Sequence, residues 1–382
     1  MMDLRPYRNR VTRLSDYLPW AALIAPGIVL NKDGAFQRTL LFRGADLDSA
    51  TPAELAGASA RFNNALRRFG SGWCLHIEAR RRPAPGYPRA RWSNATAWLI
   101  DEERRAVFEA AGARFESEYF LTLTWLPPAE RQGKLEALLF EGADRTSSDS
   151  VDYRSELARF LVETDQLCAL FQATLPEARW LDDCETLTYL HDCVSDRAHR
   201  VSVPETPCHI DSLVADAPLI GGLAPRLGGA HLKVISVRSF VSETEPGLLD
   251  ALNRLPVAYR WVTRFLPLDR EAGRHEIENI RKRWFSKRKG LFTLLREALF
   301  REEALLVDND AANQAEDSDM ALQELGADSV AAGFATITIT IADADEVLAE
   351  EAVRQIRQVT DGLGLVTQVE SVNAVEAWLG SL

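Results

Sequence analysis

Five side chains in one stretch could hold a metal ion: Cys184, His191, Cys193 and the adjacent Cys208 and His209. Cys184 and His191 are seven apart, which puts them on one face of a helix. Cys193 falls more than a quarter turn off that face. No pair among these residues has the paired spacing of a structural zinc site. Buried thiols and satisfied histidines are therefore the expectation, and no metal ligand is assigned.

Other catalytic signatures are missing from the sequence. It holds no GxxxxGK(S/T) phosphate loop, in which backbone amides and a lysine cradle the phosphates. The glycine-rich Gly221-Gly222-Leu223-Ala224-Pro225-Arg226 lacks the Lys-Ser/Thr pair, and Pro225 removes a donor amide. No GxSxG, HExxH or CxxC string occurs, and His76, His191, His199, His209, His231 and His275 are dispersed. No catalytic or cofactor-binding residue is assigned, and this chain alone is expected not to hydrolyse ATP.

Charge is more informative. The 382 residues carry a formal net charge of −12, which disfavours general nucleic-acid affinity and makes local basic patches stand out. One patch is Arg281, Lys282, Arg283, Lys287, Arg288 and Lys289, with Trp284 and Phe285 among them. It reads either as a solvated helix face complementing the acidic Asp308–Asp328 or as a surface for anionic lipid or an acidic partner. The acidic segment lacks the glycine and closing glutamate of a calcium loop. The second patch is an N-terminal arm with Arg5, Arg8, Arg10 and Arg13 separated by apolar residues. It is either a loose end or a modest membrane-surface anchor. An odd, scattered set of five cysteines suits a reducing compartment. The start has no signal-peptide pattern, and the apolar run Trp20–Leu30 is too short to span a bilayer.

The elements that must carry these residues read as α+β. Asp33-Gly34 between Ile28–Leu30 and Phe36–Phe42 predicts a hairpin. Thr51 and Pro52 open a helix that Gly70 stops, and Trp73, Leu75 and Ile77 alternate as a strand. Helical patterns follow over Ala95–Ala113, Val151–Leu175 and Glu185–Val194, with a strand at Tyr119–Trp125. Pro and Gly at high density mark residues 213–229 as a joint. Beyond it come strand Leu232–Phe240, a short helix Pro246–Leu255, strand Tyr259–Leu266 and a long helix from Glu271 to Glu303. Strand Phe334–Ile341, helix Asp345–Gly362 and strand Leu365–Glu370 complete the pattern. In Phe334–Ile341, alternation predicts a buried Ile face and a wetter Thr face. The expected organisation is a basic arm (1–16), a first α+β lobe (17–212), the joint (213–229) and a second lobe (230–382). The second lobe is read as a split β-α-β, ferredoxin-like sandwich with a long helical insertion. Its last residues, Trp378, Leu379 and Leu382, are expected to form an exposed apolar edge facing a further domain.

Several strings resemble the TrbE-type members of the CagE/TrbE/VirB family, the large cytoplasmic ATPases of conjugative type IV secretion systems. They are Leu18-Pro19-Trp20 with Gly27–Asn31 and Asp33-Gly34, then Leu219–Gly222, Tyr259–Phe265 and Arg281–Lys289, then Val307–Ala311, Ala321–Gly326 and Asn373–Leu382. The resemblance runs in order along nearly the whole chain. It implies a region that precedes a RecA-like domain, to which ATP and Mg²⁺ would belong. The implied work of the region itself is docking and assembly at the inner-membrane channel, from a cytoplasmic, peripheral position. The implied partners are inner-membrane secretion subunits, the chain's own ATPase domain and further copies of itself, without direct nucleic acid. The alternative is a share in an ATP-hydrolysing enzyme whose nucleotide-binding domain lies elsewhere.

Overall fold

The computed structural model describes residues 13–44, 49–88, 90–110, 114–127, 150–206, 208–241, 244, 246–280, 321–323, 325–326 and 330–382. A short α1 (Leu14–Tyr17) leads into β1 (Trp20–Ala25), β2 (Ile28–Asn31) and β3 (Phe36–Arg43), then α2 (Pro52–Leu66) and β4 (Trp73–Pro83). Next come α3 (Ala95–Ala110), β5 (Phe115–Trp125), α4 (Ser150–Gln172), β6 (Glu177–Trp180), α5 (Asp183–Val194) and α6 (Ile210–Val214). After these lie β7 (Leu219–Ile220), β8 (Arg226–Leu227), β9 (Ala230–Ser239), a 3-10 turn at Leu248–Arg254 and β10 (Tyr259–Pro267). The chain closes with β11 (Gly333–Asp343), α7 (Glu346–Gly362), β12 (Val366–Glu370) and α8 (Ala374–Leu379).

Local chemistry accounts for the boundaries. At the β2–β3 hairpin Gly34 takes φ 84°, which a side chain would strain, and Asp33 Oδ1 accepts from Ala35 N–H at 3.0 Å. The two strands pair antiparallel, as Asp33-Gly34 implies. Thr51 and Glu54 form a reciprocal cap on α2, with Thr51 N–H donating to Glu54 at 2.8 Å and Glu54 N–H to Thr51 Oγ1 at 3.4 Å. Asp182 and Glu185 cap α5 in the same way. The strand β1 is not expected from sequence, because its run Trp20–Ala25 reads as continuous apolar residues rather than alternation.

Twelve strands among the described residues join one sheet, in the order β1-β2-β3-β5-β4-β10-β11-β9-β8-β7, with β6 added to β3 and β12 to β9. The fold is thus α+β with antiparallel pairing at the interfaces β1–β2, β3–β5 and β9–β11. The strands after residue 230 run β10-β11-β9-β12. One of their two connections is a 3-10 turn, while α7 is the α-helix of the other. Two compact units emerge: Met1–Leu55 with Leu75–Arg264 and Thr336–Leu382, and Ala56–Cys74 with Phe265–Ala335. The Gly/Pro stretch 213–229, read as a joint, lies within the first, where β7 and β8 pair as a small hairpin. Only residues 270–280 of the predicted long helix are described, and they are helical.

Two cores fill the first unit. Trp20, Phe120, Leu187, Leu190, Val234 and Trp378 belong to one; Ile235, Trp261, Ile339 and Ile356 belong to the other. In β11 the expected contrast between faces does not hold. Ile339 is buried, but Thr338 and Thr340 are buried as well. The strand lies inside the sheet between β10 and β9, so its hydroxyl face is covered too. No helix among the described residues is long and apolar enough to cross a membrane.

Candidate functional site

Strand β4 alternates Leu75, Ile77 and Ala79 with His76, Glu78 and Arg80, and alternate side chains leave a strand on opposite faces. The polar face is the better buried. His76, Glu78 and Arg80 are buried, while Ile77 and Ala79 are only partly covered. Burial of charge demands partners. Glu78 has three: Arg80 Nε at 3.0 Å, Arg260 Nη2 at 2.7 Å and the Tyr189 hydroxyl, which donates at 3.0 Å. Arg260 also donates to the Ser381 hydroxyl at 2.9 Å and its carbonyl at 2.8 Å, tying β10 to the residue after α8. Arg80 reaches Asp192 at 3.1 Å and Cys193 Sγ at 3.3 Å on α5.

Ionisation follows the geometry. Burial pushes the Glu78 carboxyl up, but Arg260 and Arg80 outweigh it and hold it below the ordinary range. Burial, with Arg260 and Arg264 nearby, lowers His76 to about 3, so its imidazole stays neutral. Burial raises the Cys193 thiol to about 11. The cluster is a satisfied structural joint between β4, β10, α5 and the residues after α8.

Beside it opens a cleft of about 540 Å³ whose wall includes Arg82, Arg179 and Arg200. These cations are engaged within the chain. Arg82 pairs with Glu116 and Glu118, Arg179 grips Glu185 through two bonds of 2.7 and 2.9 Å, and Arg200 donates to Cys184 Sγ. His199 also lines this cleft, and together with His191 and Asp216 it forms a group of three possible metal ligands. From sequence, His191 is weighed only with Cys184, Cys193, Cys208 and His209, and metal is set aside on that basis. Cys184 instead donates to the Val201 carbonyl. His199 and Asp216 lie 8 and 25 residues beyond His191, a spacing that matches no motif.

The exposed counterpart is α3. Of its residues only Asp101 is buried, receiving the Tyr87 hydroxyl at 2.8 Å, while Phe108 packs edge-on against Tyr87. Roughly opposite, Leu99, Ile100 and Val107 fall within about 100° of the helix circumference. They are 53%, 47% and 68% exposed, and Trp98 nearby is 52% exposed. A surface helix ordinarily turns its apolar stripe inward. This one turns a carboxylate inward and its aliphatic stripe outward.

Of the residues singled out from sequence, Arg13 is exposed at the start of α1, its amide donating to Asp16. Arg5, Arg8, Arg10 and the cluster Arg281, Lys282, Arg283, Lys287, Arg288 and Lys289 lie outside the described residues, as does most of Asp308–Asp328. The apolar end needs correction. Trp378 is 1% exposed, and Leu379 and Leu382 pack against the same core rather than standing as an open edge. The turn of α8 brings the indole back onto that core, because burying so large an apolar surface outweighs leaving it in water.

Fold and site together describe an α+β chain with a neutralised polar core and one outward apolar helix. Comparison with known proteins gives the class. Residues 27–133 match the N-terminal domain of the type IV secretion system ATPase VirB4/TrbE. The chain is 30% identical over 399 residues to the conjugal transfer protein TrbE of Rhizobium radiobacter, covering 100% of this chain and 48% of that protein. Two further relatives, from Sinorhizobium fredii, are named as the first and second portions of a probable conjugal transfer protein TrbE. The chain is 38% identical to the first portion over 130 residues, covering 33% of this chain and 87% of that protein. It is 32% identical to the second portion over 198 residues, covering 52% of this chain and 29% of that protein. The chain belongs to the VirB4/TrbE family of type IV secretion ATPases. It spans about half the length of the Rhizobium radiobacter relative.

Proposed function

We propose that this chain is the docking and assembly region of a conjugal-transfer ATPase. On this reading it joins the enzyme, from the cytoplasmic side, to inner-membrane subunits of the secretion channel and to neighbouring copies. The observation that carries it is the inverted α3: three aliphatic side chains held outward on a helix anchored through Asp101, Tyr87 and Phe108. Contiguous exposed apolar surface of this kind marks a contact site. The helix also lies within the segment that matches the family's N-terminal domain. The basic arm and the Arg281–Lys289 cluster would add electrostatic attraction to an anionic membrane face or an acidic subunit. ATP and Mg²⁺ are assigned to the region of the relatives with which this chain does not align.

The test is competitive. Overproduced in donor cells with intact transfer genes, this chain should occupy the channel's docking surface and lower transfer frequency. A Leu99→Ser, Ile100→Ser, Val107→Ser variant, equally abundant and equally stable, should leave transfer unchanged. Equal inhibition by both chains would overturn the assignment to α3. No inhibition by either would overturn docking.

A further inference from the structure

The end of α5 carries a second constellation, independent of the docking surface. His191 is 1% exposed, and both of its ring nitrogens are buried without a hydrogen-bond partner. A buried imidazole ordinarily has at least one of them satisfied. Its Nε2 lies 3.2 Å from Asp216 Oδ2, and its ring centroid is 4.2 Å from that of His199. One donor atom from each of the three residues can be chosen so that all lie within 4.8 Å of one another.

We propose that His191, His199 and Asp216 bind a zinc-class divalent cation. Two imidazoles and a carboxylate are borderline donors that suit zinc and its neighbours rather than the all-oxygen ions calcium and magnesium. Three protein ligands leave a fourth position, and His199 lies on the wall of the cleft from which water could fill it.

The surroundings of the three residues fit. His191 Nδ1 faces Asp192 Oδ1 at 3.6 Å, and that oxygen is also buried without a hydrogen-bond partner. A cation on Nε2 would fix the proton on Nδ1 and draw it toward Asp192, satisfying both atoms. Ser195 Oγ donates to Asp216 Oδ1 at 2.7 Å and accepts from Arg197 N–H at 3.1 Å, so one hydroxyl aims the carboxylate and shapes the loop bearing His199. Asp196 holds that loop to the β8–β9 turn through Gly229 N–H at 2.8 Å. The approach needs glycine at 228, where φ is 58° and a Cβ would collide with the Asp196 carboxylate. The cation would staple α5, this loop and the turn after α6.

The experiment uses the whole chain, stripped with EDTA and titrated with zinc chloride by calorimetry, and with Co²⁺ by absorption. The expected result is saturable binding of one ion per chain and a Co²⁺ spectrum with visible d–d bands but no thiolate charge-transfer band. His199→Ala and Asp216→Asn should each abolish it, while Cys208→Ser and His209→Ala should leave it intact. Asp192→Asn should weaken binding by about 10- to 100-fold. Zinc should raise the melting temperature of the wild-type chain but not of His199→Ala. His199 and Asp216 are exposed, so their variants should fold, which the melting curves check. Failure of the wild-type chain to bind zinc saturably would overturn the site. So would binding that survives both ligand variants, or a thiolate band in the Co²⁺ spectrum.

Discussion

Around Glu78 a carboxylate, two guanidiniums and a phenol occupy ground where aliphatic packing is the rule, whereas α3 presents leucine, isoleucine and valine where charge is the rule. The inversions differ in what completes them. The Glu78 cluster is closed by its own chain, with donors from β4, β10 and α5 all aimed at one carboxylate. The outward face of α3 is completed by no element of the described residues. Internal charge of the first kind holds a fold in one arrangement. External apolar surface of the second kind is held ready for another molecule. Removing a member should therefore cost stability in one region and binding in the other.

The largest effect is expected at Glu78. Glu78→Ala leaves Arg80 and Arg260 buried without their counter-charge and should cost about 3–5 kcal/mol by denaturant unfolding. A loss below about 1 kcal/mol, the scale of a surface pair, would show that the cluster is not closed and would break the comparison. Acid should reveal the same region. The folded-state pKa of His76 is depressed to about 3 from 6.5, so its contribution is complete above pH 6.5 and is lost as pH falls toward 3. Glu78, also depressed, loses its contribution below its unfolded value of 4.5. Stability should thus fall with acid from about pH 6.5, by at most about 1.4 kcal/mol per pH unit for one proton. His76→Gln should flatten the upper stretch of that slope. Tyr189→Phe removes one donor to Glu78 and should cost about 1–3 kcal/mol, less than Glu78→Ala because both arginines remain paired. The smallest change in stability is expected at α3. Leu99→Ser, Ile100→Ser and Val107→Ser together should shift unfolding only slightly, since exposed single substitutions usually stay within about 0.5 kcal/mol.

Much of the fold is legible in the sequence because it is written locally. The Asp33-Gly34 turn, the Thr51–Glu54 cap and the alternation of β11 each announce themselves within a few residues. The long-range polar joint does not. The partners of Glu78 lie 111 residues away at Tyr189 and, through Arg260, link to Ser381 a further 121 residues along. One signal is present: His76, Glu78 and Arg80 alternate on β4. The apolar alternation of Trp73, Leu75 and Ile77 points instead to the other face. Trp378 is misplaced from sequence for a related reason. An apolar string near a chain end carries no local sign of the core it folds back onto. On α3 the helical pattern is visible, but which stripe faces inward is decided by Tyr87 and Asp101, and periodicity alone does not record that choice.

The central claim is that α3 docks against an inner-membrane subunit of the secretion channel. A photo-crosslinking amino acid placed at Ile100, in donor cells with intact transfer genes, tests it most directly, with Glu103 on the same helix as the neighbouring polar control. The account predicts an adduct from Ile100 to an inner-membrane secretion subunit that disappears when Leu99 and Val107 are changed to Ser. Adducts confined to this chain's own residues, or a channel adduct indifferent to Leu99 and Val107, would contradict it.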